Sequence, residues 1–534
     1  MAKEKGKKHI YSIEEKSMQH EITRGKAKDA FYENFIYLIV ISLLFLSAYA
    51  FIFDRKLDLN GDNAYYYVLG KALSQGEGYV NIANVNKPPN NHYPPGYPFI
   101  LSLFMHISDS FAFLKLINGI FMLLSLYLLY YIFKFFKKSA KLAFVTVFFL
   151  LLNGHLLLYS TMMMSEMSFI VFSFLCLFFI QKTDFNDNVF KRPYIYLILV
   201  TLVGSYYIRS TGLALFVGLL SFLILKKYWK VALFIFIGFI TLAAPWIIRG
   251  QKLGGSSYIK PLVMINPYRT ELGNADFADY VNRILTNASR YITREIPSST
   301  LPFIEVDYLS DIGYIEWVLG IPIMALIIFG LYKLGNKALI IICYIAATFG
   351  ILLLWPDVWA GVRFVLPIVP LLLYALIIGI MHVLEYMFSR FSRTLQFNIL
   401  FLLIVGIAFI PSIQKIHSKA RSDYPDAWKN YFNAAAWLKR NNLQNSIVAC
   451  RKPMLFHLNS GTFATTFKYS VDISEVMEDF RDKKIDYVVL DNLGYRQTYQ
   501  YLFPAIEANQ EDFEVALNLE NPDTYLLKFN PNNE

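Results

Sequence analysis

Two acidic side chains stand out because each lies at the edge of an apolar stretch of the chain. Asp62 opens a predicted helix after Asn60 and Gly61, and Glu166 directly precedes a long apolar run. The simpler interpretation is that each carboxylate caps a helix. Such a carboxylate can also act as a base, since a helix N-terminus favours the ionised form. An acid at the mouth of an apolar helix often marks a site.

Five cationic side chains accompany these acids. Lys87 and His92 lie in a proline-rich segment with a stiff backbone, where each could contact a phosphate or simply reach the lipid headgroups. Arg209, Arg249 and Arg363 each stand at the end of an apolar run. Arginine suits bidentate contact with phosphate, although a single arginine can also be a topological anchor. With the two acids, this set favours chemistry in which a phosphate leaves and a carboxylate takes a proton.

Other chemistries lack their sequence signals. The chain has no Gly-rich phosphate loop, zinc signature or serine nucleophile motif, so the use of a cytoplasmic nucleotide is not indicated. Three cysteines occur, two of them inside apolar runs, and no disulfide framework is implied.

The composition places these residues in a membrane protein. Of the 534 residues, 56% are hydrophobic and 17% are charged, whereas soluble domains have about 25% charged residues. The mean hydropathy is +0.40. A soluble enzyme and a disordered chain are therefore excluded. The net charge of +10 comes largely from loops between apolar runs, which indicates a membrane surface and not nucleic acid.

Eleven apolar runs predict eleven transmembrane helices. They cover residues 35–53, 111–133, 142–159, 167–180, 194–208, 213–225, 231–248, 315–331, 338–355, 364–384 and 397–410. A single helix over residues 193–225 would be about 50 Å long. The hydrocarbon core is only about 30 Å thick, so a break at residues 209–212 is predicted.

The positive-inside rule orients these helices. With a cytoplasmic N-terminus, the basic short loops face the cytoplasm and the candidate site residues face outward. A twelfth apolar run, at residues 97–107, would invert every later loop if it crossed the membrane. We therefore expect it to be a helix on the outer surface. The predicted location is the cytoplasmic (inner) membrane, with the C-terminal part outside.

The predicted architecture is a polytopic α-helical membrane protein with a small C-terminal α/β domain. Residues 1–34 form a cytoplasmic segment, and residues 35–413 form the transmembrane domain, with outer loops at 54–110 and 251–313. Residues 414–534 form the outer α/β domain. Its pattern predicts a helix at 426–441 and strands at 446–450, 486–491, 513–519 and 524–529.

Several motifs, taken in order, resemble the GT-C glycosyltransferases. More specifically, the chain resembles the bacterial branch related to protein O-mannosyltransferases and to the lipid A aminoarabinose transferase. The motifs are Gly61-Asp62-Asn63-Ala64-Tyr65-Tyr66, Lys87-Pro88-Pro89, Tyr93-Pro94-Pro95-Gly96-Tyr97-Pro98, Ser165-Glu166, Arg209-Ser210-Thr211-Gly212, Ala244-Pro245-Trp246-Ile247-Ile248-Arg249 and Arg363-Phe364-Val365-Leu366-Pro367-Ile368-Val369-Pro370. All of them fall on the predicted outer side of the membrane.

The resemblance implies a GT-C fold and an inverting transfer of one sugar from a polyprenyl phosphate carrier. The acceptor would be lipid A, a protein or a surface glycan. Asp62 would be the general base, and Glu166 matches the second acidic position. The implied substrate-binding and phosphate-binding residues are Lys87, His92, Tyr65, Tyr66, Arg209, Arg249 and Arg363.

A metal is not settled by this resemblance. Many relatives have Asp-Glu where this chain has Asp62-Asn63, so a role for two adjacent carboxylates is not implied. No cofactor is certain. Some relatives use a divalent cation, for which His92 and Glu166 could supply ligands.

Three other functions remain open. A glycan polymerase or ligase would also have many spans and an arginine-bearing outer loop, but it leaves the acidic first loop unexplained. A lipid or glycan transporter would place charges near the membrane midplane and often has two related halves. A non-catalytic scaffold gives no role to Asp62, Glu166 or the arginines.

Overall fold

The computed structural model describes residues 32–254, 259–387 and 405–531. The helical part contains, in chain order, α1 Tyr32–Ile52, α2 Asp62–Ser74, α3 Gly96–Met105, α4 Phe111–Lys137, α5 Ala140–Leu152, α6 Gly154–Ser160, α7 Glu166–Lys182, α8 Pro193–Ile208, α9 Gly212–Leu225, α10 Trp229–Lys252, α11 Ile259–Val263, α12 Phe277–Arg290, a π-helical turn Tyr291–Glu295, α13 Ile296–Thr300, α14 Tyr314–Leu334, α15 Leu339–Leu352, α16 Val369–Met387 and α17 Ile410–Arg421.

The chain is a multi-pass membrane protein. Among the described residues, 5 helical stretches are long and apolar enough to cross a bilayer: Tyr32–Ile52, Phe111–Lys137, Trp229–Lys252, Tyr314–Leu352 and Leu366–Met387. Helices α5 and α6, bent by 66°, would make a sixth if they form one span. The first ten predicted runs each overlap a helix, and most of the eleventh lies outside the described residues. The count of eleven spans therefore stays a prediction.

The predicted break between α8 and α9 is present. Arg209 is extended, with φ −146° and ψ 136°, and the next helix begins at Gly212. A Cβ atom on Gly212 would lie 2.5 Å from the backbone nitrogen of Tyr206. The break thus requires a glycine, because the chain folds back against the end of α8.

The apolar run at residues 97–107 forms the short helix α3. Its 10 residues measure about 15 Å, too short to cross a hydrocarbon core of about 30 Å. Tyr97 and Leu101 are fully buried against α2 and α8. The expectation that this run does not span the membrane agrees with its length.

The C-terminal part is a five-stranded sheet with helices. Its strands are β1 Ile447–Ala449, β2 Phe463–Thr465, β3 Tyr487–Leu490, β4 Phe513–Leu519 and β5 Thr524–Phe529, in the order β2-β1-β3-β5-β4. Strands β2, β1 and β3 are parallel, whereas β5 is antiparallel to β3 and β4. The helices are α18 Asp426–Arg440, α19 Pro453–Ser460, α20 Ile473–Asp482 and α21 Phe503–Ala508.

Four of the five strands and α18 coincide with the sequence prediction, while β2 and the later helices had no counterpart in it. Helix α17 runs across the predicted domain boundary between residues 413 and 414.

This α/β domain packs directly on the segment between α1 and α4, which the sequence analysis predicts to be the first outer loop. The backbone N–H of Ala464 donates to the carbonyl of Ala83 at 2.9 Å, and the Tyr424 hydroxyl donates to the carbonyl of Leu57 at 2.8 Å. Side chains from both parts, including Tyr66 and Tyr431, share one apolar core. The carboxyl ends of the parallel strands are thereby held beside the start of α2.

Candidate active site

Asp62 is the first residue of α2, but its side chain does not cap that helix. Gly61, at φ +102°, occupies the N-cap position, and no side chain caps the first turn. The Oδ1 atom of Asp62 accepts a hydrogen bond from Tyr93 at 2.8 Å, and Oδ2 accepts one from Arg363 Nη1 at 2.6 Å. The capping interpretation is therefore wrong for Asp62, whose carboxylate turns toward residues from other parts of the chain.

Glu166 is the first residue of α7 and is fully buried. Its Oε1 atom pairs with Arg209 Nη1 at 2.7 Å and with Arg363 Nε, while Oε2 has no hydrogen-bond partner. A buried carboxylate is costly unless it is paired. Two guanidinium groups supply that pairing, and Arg363 links Glu166 to Asp62.

Tyrosine and serine hydroxyls extend this set of ion pairs through hydrogen bonds. The Ser165 hydroxyl accepts from Arg209 at 3.0 Å and lies 3.1 Å from the Tyr66 hydroxyl. Tyr66 also packs edge-on against Tyr93. Two carboxylates and two arginines are thus held in one connected network with no net charge, which we call the active-site network: Asp62, Glu166, Arg209 and Arg363.

The surroundings keep Asp62 ionised. Burial raises the pKa of this carboxyl, but Arg363, the Tyr93 hydrogen bond and His92 together lower it below its usual value. Burial lowers the pKa of His92, and Asp62 opposes that shift. Asp62 is therefore a carboxylate able to accept a proton.

The active-site network borders a cavity of about 430 Å³. Asp62, Arg209 and Arg363 line this cavity, whereas Glu166 lies behind the two arginines. Its other walls include Tyr66, His92, Tyr93, Ser210, Thr211, Tyr268, Trp355 and Trp359.

An apolar groove of about 810 Å³ adjoins this cavity and shares Ser210, Thr211 and Trp355 with it. Tyr206, Trp246, Ile247, Ile351 and Leu354 form much of the groove. The hydroxyl of Thr211 is buried and has no hydrogen-bond partner. A polar group that is still unsatisfied therefore lies where the charged cavity meets the apolar groove.

The structure does not bring every predicted site residue into this cavity. Lys87 forms an ion pair with Glu77 at 2.9 Å on the surface. Arg249 donates to the carbonyl oxygens of Asn90 and Tyr79 and stacks on Trp246, so it holds the proline-rich segment in place. Tyr65 packs on Tyr93 just outside the cavity. Asp62, Tyr66, His92, Arg209 and Arg363 line the cavity, with Glu166 behind them.

The sequence reasoning missed a group of buried polar residues that begins on α12. Arg283, Asn287 and Arg290 are buried on one face of α12, and their side chains donate to carbonyl oxygens in residues 262–265 and 352–357. Arg290 also pairs with buried Glu295 at 2.7 Å, and Glu295 accepts from the N–H of Gly361 at 3.3 Å. These four residues, the loop clamp, fix the backbone that leads to Arg363.

A sequence signal for the loop clamp existed. Its helical members lie at positions i, i+4 and i+7 of a strongly amphipathic helix that begins with an Asp276/Asp279 capping box. That spacing places them on one face. The sequence alone does not show that this polar face is the buried one.

A divalent cation finds few free ligands at this site. Asp62 Oδ1, Asp62 Oδ2 and Glu166 Oε1 each already accept from a donor. A cation would have to displace a guanidinium or a hydroxyl to reach them. Among the described residues, no group of three or more His, Cys, Asp or Glu side chains has the arrangement of a metal site.

Comparison with solved structures identifies the fold. ArnT from Cupriavidus metallidurans bound to undecaprenyl phosphate is 11% identical, with a TM-score of 0.56; the alignment covers 92% of this chain and 98% of ArnT. The apo structure of the same protein is 10% identical, with a TM-score of 0.57, and covers 92% of this chain and 97% of ArnT. The chain has the GT-C fold. No protein-family model and no curated protein sequence matches it.

Proposed function

We propose that this protein is a membrane glycosyltransferase that moves one sugar from a polyprenyl-phosphate donor to an acceptor. The observation that carries the proposal is the arrangement of Asp62, Arg209 and Arg363 around one cavity, which adjoins an apolar groove. ArnT, whose fold this chain shares, has been solved with undecaprenyl phosphate.

The two cavities match the two halves of such a donor. A polyprenyl chain is apolar and would lie in the groove beside Tyr206, Trp246 and Leu354. Its phosphate would reach the junction, where the unsatisfied Thr211 hydroxyl and the Arg209 guanidinium stand. The sugar would then occupy the polar cavity next to Asp62.

The residues can carry out the transfer in one displacement. The acceptor hydroxyl attacks the anomeric carbon, and Asp62 takes the proton of that hydroxyl. The bond between the anomeric carbon and the phosphate oxygen breaks, and the electron pair leaves with the polyprenyl phosphate. Arg209 and Arg363 stabilise the leaving phosphate, since arginine binds such groups through two parallel hydrogen bonds. Attack opposite the leaving group inverts the anomeric centre.

Glu166 positions the two arginines in this mechanism. It contacts both guanidinium groups but not the cavity. A carboxylate between two arginines reduces their mutual repulsion and holds them at one depth. The reaction would take place on the outer face of the cytoplasmic membrane, where the basic short loops of the sequence place this end of the helices.

The proposal is tested in cells that lack the protein. Glycolipids and glycoproteins are compared by mass spectrometry after complementation with the wild type or with Asp62→Ala. We expect a single sugar mass to be missing from the null cells and from the variant, and to return with the wild type. If both versions restore the same change, Asp62 has no catalytic role and a transport function becomes the better explanation.

A further inference from the structure

A second group of side chains gathers at the carboxyl ends of the three parallel strands. Arg451 and Lys452 follow β1, Tyr469 follows β2, and Asp491 and Tyr495 follow β3. Parallel strands bring the residues after their carboxyl ends to one edge, where α/β sheets commonly bind ligands. We call these five residues the outer cluster. None of them belongs to the active-site network.

The two cations of the outer cluster lie against aromatic rings. Arg451 Cζ is 4.5 Å and Lys452 Nζ is 4.6 Å from the centre of the Tyr495 ring, and Arg451 also lies 5.7 Å from the Tyr469 ring. Arg451 donates to Gln497 at 3.3 Å, and Lys452 donates to the Asn60 carbonyl at 3.3 Å. In the described part of the chain, neither cation has a carboxylate oxygen within ion-pair distance.

A carboxylate oxygen without a hydrogen-bond donor lies in the same cluster as these two cations. Asp491 is 3% exposed, and its Oδ2 atom has no hydrogen-bond partner. Its Oδ1 atom accepts from the N–H of Leu493 at 3.1 Å and from the Thr498 hydroxyl at 3.4 Å. A buried oxygen without a donor is costly, and a hydroxyl group supplied by a ligand would satisfy it.

The outer cluster also lies beside the proposed base. Lys452 bonds to Asn60, which is two residues before Asp62, and its Nζ atom lies 3.5 Å from the position of a Cβ atom on Gly61. Burial and then Arg451 lower the pKa of Lys452 to about 8, while Asp62 and Asp491 oppose the shift. A ligand held by these residues would place its neighbouring groups close to the start of α2, where Asp62 stands.

We propose that the outer cluster is the acceptor subsite, and that it binds a saccharide carrying a phosphate or carboxylate group. This proposal rests on the proposed function. Aromatic rings offer apolar faces to a sugar ring, the Asp491 oxygen accepts a sugar hydroxyl, and the two unpaired cations bind the acidic group. The acidic group is held at the cluster while a nearby hydroxyl of the same acceptor reaches Asp62.

The test measures ligand binding without requiring transfer. The full chain in detergent is exposed to an amine-acylating reagent at pH 8, and the labelling rate of each lysine is followed by mass spectrometry. The added probes are glucose 6-phosphate, glucuronate, glucose and inorganic phosphate. At twice its dissociation constant, a bound probe slows labelling of Lys452 about threefold. Lys468, which pairs with Glu475 on the surface, serves as the matched control lysine.

We expect glucose 6-phosphate, glucuronate or both to protect Lys452, and the comparison of the two identifies the acidic group. Equal protection by glucose shows that no acidic group is recognised, and equal protection by inorganic phosphate shows that no sugar is recognised. Either result overturns the proposal, as does an absence of protection by every probe.

A variant separates this subsite from catalysis. Arg451→Gln should raise the concentration of glucose 6-phosphate or glucuronate needed for half-protection of Lys452 about tenfold, equal to about 1.4 kcal/mol, with undecaprenyl phosphate binding unchanged. Arg451→Lys should recover part of the loss. Asp62→Asn should keep the protection of Lys452 while losing transfer. Protection that survives in Arg451→Gln overturns the subsite, whereas unimpaired transfer by Asp62→Asn overturns the catalytic proposal and leaves the binding result standing.

Discussion

The active-site network and the loop clamp both pair a buried glutamate with arginine, but they differ in what surrounds that pair. Each contains a fully buried glutamate, Glu166 or Glu295, paired with an arginine at 2.7 Å, and each glutamate has one oxygen without a partner. Buried ion pairs are therefore not a signature of catalysis in this protein. The two regions differ in what contacts the arginine nitrogens that are not paired with glutamate.

In the loop clamp, the guanidinium groups donate hydrogen bonds to backbone carbonyl oxygens. Arg283 and Arg290 donate to carbonyl oxygens of two loops, which makes them structural. In the active-site network, Arg209 and Arg363 face a cavity that is large enough for a sugar. The same chemistry fixes a loop in one region and remains available to a ligand in the other.

The largest loss of activity should follow substitution of Asp62, the proposed general base. Asp62→Asn keeps the shape of the side chain but cannot take a proton, so kcat should fall about a thousandfold. Purified variant and wild type are compared in a transfer assay, with gel filtration as the control for folding. A rate within a factor of about two of the wild type would remove Asp62 from catalysis.

The second-largest loss of activity should follow substitution of Arg363, which contacts both Asp62 and Glu166. Arg363→Ala removes a guanidinium group that is proposed to bind the phosphate, and it leaves Glu166 with only Arg209 as a partner. The kcat/KM for the lipid-linked sugar should therefore fall about a hundredfold. Binding of undecaprenyl phosphate should weaken as well. Arg363→Lys should recover little, because lysine cannot form the two-sided contact to Asp62 and Glu166. Unchanged binding of the lipid phosphate would contradict the assignment.

A double variant distinguishes the two regions. Arg290→Met leaves Glu295 buried without its partner and should destabilise the fold by about 3 kcal/mol. Activity per folded molecule should also fall, because the loop leading to Arg363 loosens.

Adding Glu295→Met should restore much of the stability, since an apolar pair avoids the cost of a buried lone charge. The matched pair in the active-site network, Arg209→Met with Glu166→Met, should not regain transfer. Thermal unfolding and initial rates are measured for all variants. Recovery of transfer by the second double variant would show that this network is also only structural.

A smaller effect should appear in the dependence on pH. Burial raises the pKa of Asp62, but Arg363 and its other partners lower it overall, so its ionised form stabilises the fold above the unfolded pKa. That contribution is lost as the pH falls below about 4 toward the folded pKa.

The acid limb of the rate profile should therefore lie below about pH 4 in the wild type and move upward in Arg363→Gln. Glu295 behaves in the opposite way, because burial raises its pKa despite Arg290. An acid limb near neutral pH would assign the base to another group.

The smallest effect should come from a predicted residue that lies outside the cavity. Lys87 forms an exposed ion pair with Glu77, and such pairs contribute about 0 to 1 kcal/mol. Lys87→Ala should lower the free energy of unfolding by no more than about 1 kcal/mol and change the transfer rate by less than about twofold. A large loss of donor binding would show that Lys87 reaches the phosphate after a movement of the proline-rich segment.

Much of the fold follows from local sequence patterns. The apolar runs predict helices because each is predominantly apolar over several helical turns. The break at residues 209–212 follows from a length limit set by the bilayer. Strand β2 was missed although β1 is equally short, because β2 lacks a pair of consecutive β-branched apolar residues such as Ile447 and Val448 in β1. The polar face of α12 was visible as a pattern, but burial of a polar face depends on carbonyl oxygens from distant loops.

The sequence by itself determined the class of protein, the apolar helices and which acids and arginines were candidates, because hydropathy and charge act locally along the chain. Only the tertiary structure decided that Arg363 contacts both Asp62 and Glu166. Arg363 lies 301 positions after Asp62 and 197 positions after Glu166 in the chain. It also showed that Lys87 and Arg249 lie elsewhere. Contacts between distant residues depend on how the helices pack, and side-chain shape at each crossing controls that packing.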